Sequence, residues 1–80
     1  MAFKVTQSDI QAAHEKIQPF IHRTPVLTCQ SINEMVGAEL FFKCENFQKI
    51  GAFKARGGIN AVLSLPEEAR SKGVVTHSSG

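Results

Sequence analysis

Apolar residues recur at Ile10, Ala13, Ile17 and Ile21, a spacing of three or four that lays one apolar stripe along a helix. Polar Thr6-Gln7-Ser8-Asp9 leads into that stripe. Thr6 or Ser8 is placed to cap the helix, Ser8-Asp9-Ile10-Gln11 fits a capping box, and Asp9 suits the positive end of the helix dipole. His14 lies close to the stripe and is expected to be a partly buried structural histidine. Pro19 lacks an amide hydrogen and falls inside the periodic run, so the helix should end or kink just before it. Pro25 disfavours helix at Thr24, which predicts an extended exit through His22-Arg23-Thr24-Pro25 anchored by Val26 and Leu27. Ser31-Ile32-Asn33-Glu34 reads as a second capping box and Gly37 as a stop, predicting a short helix over 31–36.

From Ala38 to Glu45 the period changes to two, with Leu40, Phe42 and Cys44 on one face and Phe41 and Lys43 on the other. Apolar residues on both faces predict an inner, covered strand. Residues 46–51 form a loop, and a helix is expected from about Phe53 to Leu63 with Ile59, Val62 and Leu63 turned inward. A further helix starts around Pro66-Glu67-Glu68, carries Arg70 and Lys72 in its last turn and stops at Gly73. Residues 74–77 then read as a second strand. Strand, helices, strand is a crossover, so the expected class is α/β with neighbouring parallel strands and flanking helices.

An 80-residue chain supports only a marginal core. It stops on Ser78-Ser79-Gly80, directly after the apolar pair Val74-Val75, where a strand would hand over to a helix. The expectation is therefore a single incomplete segment, 1–80, from the front of a longer protein. The net charge of +2 and pI of 8.7 are too mild to favour nucleic acid, and the basic residues are scattered. No run reaches membrane-spanning length and nothing resembles a signal peptide, so the expected location is the cytoplasm. Cys29 and Cys44 form no Cys-x-x-Cys pair and no zinc spacing with His14, His22 or His77. They are read as small, reduced, buried residues, and no metal site is expected in this segment.

The chemistry concentrates in Gly51-Ala52-Phe53-Lys54-Ala55-Arg56-Gly57-Gly58. Gly51 and Ala52 leave room for a ligand to approach the backbone, and Gly57 and Gly58 let another element come close. A lysine in the first turn of a helix, beside Phe53 and near Arg56, sits in a field that disfavours its ammonium form. As a neutral amine, Lys54 could form a Schiff base with an aldehyde cofactor. Taken alone the pattern is weak, because most lysines are solvated surface charges.

Four segments in order resemble the fold type II, or beta-family, pyridoxal phosphate enzymes, whose architecture is that of the tryptophan synthase beta chain. They are Ile21-His22-Arg23-Thr24-Pro25-Val26-Leu27-Thr28, Leu40-Phe41-Phe42-Lys43-Cys44-Glu45-Asn46-Phe47-Gln48-Lys49, the lysine stretch, and Val74-Val75-Thr76-His77-Ser78-Ser79-Gly80. Within the family the likeness is greatest to the serine racemase and ammonia-lyase branch. The resemblance implies an N-terminal helix and the first β-α-β portion of a larger two-domain enzyme that binds pyridoxal 5'-phosphate. Lys54 would form the Schiff base and move the α proton on one face of the substrate, and Ser79 would serve as the acid/base on the other. Phe53 would flank the cofactor, although a place in the core suits it as well. Ser78, Ser79 and Gly80 would gather the substrate carboxylate. Alanine is common at the position of Ser79 in threonine dehydratases, which favours racemisation of serine, with serine dehydratase activity alongside it.

Arg56 is expected to be an ion-pair partner rather than a catalyst. Ala52 stands where the family most often has serine, which leaves substrate preference open. The same resemblance implies a homodimer acting on a small amino acid, with Mg2+ and ATP as activators bound outside this segment. A threonine or threo-3-hydroxyaspartate ammonia-lyase is the alternative enzyme. An inactive fragment or a small phosphate-binding module built on Gly57-Gly58 or the Ser78 loop is the alternative of another kind, although no Gly-x-Gly-x-x-Gly or P-loop spacing occurs.

Overall fold

The structure is a computed structural model that describes residues 3–79. Helix α1 spans Gln7–Ile17 and opens on a capping box two residues earlier than one starting at Ser8: Thr6 is the N-cap. Its hydroxyl accepts the Asp9 amide at 3.2 Å, and the Asp9 carboxylate accepts the Thr6 amide at 2.9 Å. Asp9 wins this role because its short side chain reaches back three residues, and the Thr6 amide and hydroxyl hold its carboxyl below the usual carboxylate range. The helix ends before Pro19, as the missing amide requires, and passes into a 3-10 turn at Gln18–Phe20.

Strand β1 is only Val26–Leu27, and helix α2 runs Gln30–Val36 to a left-handed Gly37 at φ 68°. The second capping box does not form. Cys29 takes the N-cap position without a side-chain bond, and Glu34 is occupied by the Gln30 amide at 3.1 Å. Strand β2, Phe42–Lys43, is a fraction of the stretch expected to be extended, and it pairs with β1 antiparallel, Val26 opposite Lys43 and Leu27 opposite Phe42. Phe41 and Phe42 are exposed, not covered as the two-faced apolar pattern suggested. Residues 74–77 carry no ladder bonds and Val75 is almost fully exposed, so the expected parallel partnership between 38–45 and 74–77 is absent among the described residues. The physical reason is that a strand exists through its neighbour's hydrogen bonds. β1 finds β2 across residues 28–41, which contain α2 and return the chain antiparallel, whereas 74–77 have no strand alongside them among the described residues.

Helices α3, Lys54–Leu63, and α4, Glu67–Ser71, complete the chain, with Pro66 as the N-cap of α4 and Gly73 turning its end at φ 84°. α1 lies against α3, and Lys16 Nζ donates to Ser64 Oγ at 2.8 Å across that contact. Ile17 and Ala55 are the buried apolar residues of the described chain, while Ile59, Val62 and Leu63 are half-buried. Ile10, assigned to the apolar stripe, is exposed.

Candidate active site

Two buried polar residues, Thr24 and Gln48, organise the region in front of α3. A buried polar side chain is tolerated only when its hydrogen bonds are made, and both comply. The Gln48 amide accepts the His22 N–H at 2.8 Å, donates to the His22 carbonyl at 2.9 Å and accepts the Lys49 N–H at 2.9 Å. It thereby replaces a missing strand pairing between residues 22 and 48. Thr24 donates its hydroxyl to Glu45 Oε2 at 2.5 Å and accepts Lys43 Nζ at its carbonyl at 2.7 Å.

Glu45 opens the 3-10 turn Glu45–Phe47 directly after β2. Its carboxylate receives the Arg56 guanidinium through two hydrogen bonds, from Nε to Oε1 and from Nη2 to Oε2, the latter at 3.1 Å. Arg56, helped by the Thr24 hydroxyl, lowers the Glu45 carboxyl from its ordinary 4.5 to about 2. The carboxylate in turn raises Arg56, against a smaller opposing effect of burial. Arg56 is thus an ion-pair partner, as expected. The Glu45 and Gln48 roles were not read from the sequence, where Glu45 ends the expected strand and Gln48 falls in the loop over 46–51.

After Gln48 the chain reverses sharply. The Gly51 amide bonds to the Gln48 carbonyl at 2.8 Å, and both Ile50, φ 59°, and Gly51, φ 70°, are left-handed. A β-branched residue in this region is strained, so the flanking anchors must hold it there. The reversal delivers Phe53 as the N-cap of α3 and Lys54 as its first residue. Lys54 is exposed, and its amine has no hydrogen bond or ion pair among the described residues.

That amine opens into a cleft of about 1690 Å3 whose wall includes Phe53, Lys54, Ser78 and Ser79. Four residues expected at the site are therefore brought to one space; the fifth, Gly80, lies outside the described residues. Gly57 and Gly58 line the same cleft, and a Cβ built on either meets nothing within 4 Å, which leaves room beside Lys54 for a flat, bulky group. Phe53 is exposed on this wall and is not part of the core. His14 also lines the cleft and is exposed, correcting its assignment as partly buried. Cys29 and Cys44 are free thiols, half-buried rather than buried. Among the described residues no group of three or more His, Cys, Asp or Glu could hold a metal, and no helix is long and apolar enough to cross a membrane.

A lysine without an ion pair, next in sequence to an aromatic residue and lining one cleft with two serines, is an arrangement suited to capturing an aldehyde and moving protons next to it. Residues 17–80 match the family model of pyridoxal-phosphate dependent enzymes, and the chain belongs to that family. The particular relatives are consistent. The chain is 63% identical over 76 residues to the serine racemase of Dictyostelium discoideum, covering 95% of this chain and 24% of that protein. It is 59% identical over 75 residues to a beta-hydroxyaspartate dehydratase of Paracoccus denitrificans, covering 94% and 24%. Its fold superimposes on the structure of maize serine racemase with a TM-score of 0.89 at 54% identity, covering 98% of this chain and 24% of the other. The chain thus spans about a quarter of the length of the relatives it matches. The fold is that of the N-terminal part of the fold type II enzymes, mostly helical here with one small sheet.

Proposed function

We propose that the full-length protein is a pyridoxal phosphate-dependent serine racemase that also eliminates water and ammonia from serine. The observation that carries this reading is the convergence of Lys54, Phe53, Ser78 and Ser79 on one cleft, in a chain 63% identical to a serine racemase. Pyridoxal phosphate, when bound, supplies an aldehyde carbon open to a lysine amine and a conjugated ring that withdraws electrons from the substrate α-carbon. Lys54 would hold the cofactor through its side-chain nitrogen and would take the α proton on one face of the substrate. The Ser79 hydroxyl would give a proton on the other face, which inverts the centre. Ser78, with Ser79 and Gly80, binds the carboxylate, and Phe53 limits where the ring can lie.

The test is turnover of L-serine by the full-length protein, following D-serine and pyruvate together. Lys54→Ala should abolish both products. Ser79→Ala should lower racemisation by two orders of magnitude or more, the usual contribution of a positioned acid/base, and lower elimination less. Equal loss of both activities would contradict the assignment of Ser79.

A second reading, a threo-3-hydroxyaspartate ammonia-lyase, is favoured by the Paracoccus denitrificans relative. A higher kcat/KM for 3-hydroxyaspartate than for L-serine would establish it. Residues 1–80 alone are proposed to be inactive. A cytoplasmic homodimer with Mg2+ and ATP as activators completes the proposal, tested by sedimentation and assay of the full-length protein with each activator added or withheld.

A further inference from the structure

The first turn of α3 has little of its own to hold it. Phe53 offers no side-chain cap, and the Ala55 and Arg56 amides bond only to the carbonyls three residues back, at 3.3 and 3.2 Å. The Lys54 side chain makes no bond that would fix the turn from within. What does fix it is Arg56, two residues on, whose fork grips Glu45. Glu45 is held in turn by the hydroxyl of buried Thr24, and Thr24 is held through its carbonyl by Lys43 of β2.

We propose that Glu45 is a positioning residue for Lys54: through the two-pronged Arg56 bond it fixes the rotation of α3, and with it the direction in which the Lys54 amine enters the cleft. This rests on the reading of Lys54 as the residue that captures the cofactor. The geometric argument is direct. Successive residues on an α-helix are about 100° apart, so any turn of the helix that takes Arg56 off Glu45 swings Lys54 through the same angle. A planar guanidinium bonded to both oxygens of a carboxylate resists that rotation far better than a single bond would. Thr24 adds a third bond to the same carboxylate, so the acceptor cannot follow the fork if it moves. Glu45 and Arg56 line the cleft that Lys54 enters, and the two oxygens of Glu45 are taken up by Arg56 and Thr24. Glu45 acts by narrowing the positions available to the amine.

The experiment uses the full-length protein and pyridoxal phosphate itself, in wild type, Glu45→Gln and Arg56→Lys. Capture joins the Lys54 nitrogen to the aldehyde carbon with loss of one water. Borohydride then delivers hydride to that carbon, and a proton from water completes a stable secondary amine. The rate of labelling at Lys54 and the circular dichroism of the bound chromophore are read beside the fraction folded. Glu45→Gln keeps a neutral acceptor but loses the charge, and Arg56→Lys keeps the charge but loses the fork. Both should capture at least about ten-fold more slowly than wild type at equal folded fraction, on the scale set by misplacement of a reacting group, and both should show a weakened dichroic band. Wild-type rate and dichroism in a folded Arg56→Lys protein would overturn the proposal, even if Glu45→Gln fails to fold. Failure of the wild type to label at Lys54 would instead overturn the reading on which it rests.

Discussion

Protonating Glu45 would neutralise a carboxylate that accepts three hydrogen bonds, two from Arg56 and one from Thr24. Because its folded value is depressed to about 2 from 4.5, the native state binds this proton less readily than the unfolded chain does. The stability it contributes is fully present above pH 4.5 and is lost as the pH falls toward about 2. We therefore expect the urea midpoint of the full-length protein to fall over that window, and Glu45→Gln to flatten the fall; equal slopes for both would contradict the pairing. The pairing of Arg56 was expected from the sequence and is present, whereas Lys54 was singled out by the likeness of four ordered segments and not by the small residues around it. The partner of Arg56 was not legible in the sequence. Glu45 lies eleven residues upstream, and only folding of the 3-10 turn after β2 shows that it faces α3.

The helices were more legible than the strands, and the capping residues show why. α1 stops before Pro19 and α2 before a left-handed Gly37, both set by the chemistry of a single residue. The N-termini are decided by competition among several polar residues, and there the two capping boxes part company. Thr6→Ala should destabilise by about 1 kcal/mol, because it removes the acceptor of the Asp9 amide. Ser31→Ala should stay within about 0.5 kcal/mol, because the expected box over Ser31-Ile32-Asn33-Glu34 is absent. Thermal melts of the two variants measure the difference; similar losses would place a cap at Ser31 after all. Alternating apolar residues over 38–45 identified a segment suited to a sheet. They could not identify its partner, since pairing depends on residues distant in sequence.

The described chain has a radius of gyration of 16.7 Å and extends 53 × 31 × 26 Å. A compact domain of this length would measure about 12 Å. Many large apolar side chains, Phe3, Ile50 and Val75 among them, are largely exposed. Such surfaces occur here in a chain that spans 24% of the length of its serine racemase relative. If residues 74–77 become a sheet strand in the whole protein, the amides of Val74, Val75 and Thr76 should exchange with deuterium at least about ten-fold more slowly in the full-length protein than in residues 1–80 alone. Equal exchange would mean that the segment remains unpaired.

The central claim is that Lys54 is the residue that binds the cofactor covalently. The direct measurement is the absorbance of the full-length protein with pyridoxal phosphate before and after borohydride, followed by mapping of the modified peptide. Loss of the visible band on reduction, with the label on Lys54, is the predicted result. A protein that stays colourless, or that carries its label on Lys49 or another lysine with Lys54 unmodified, would contradict the account.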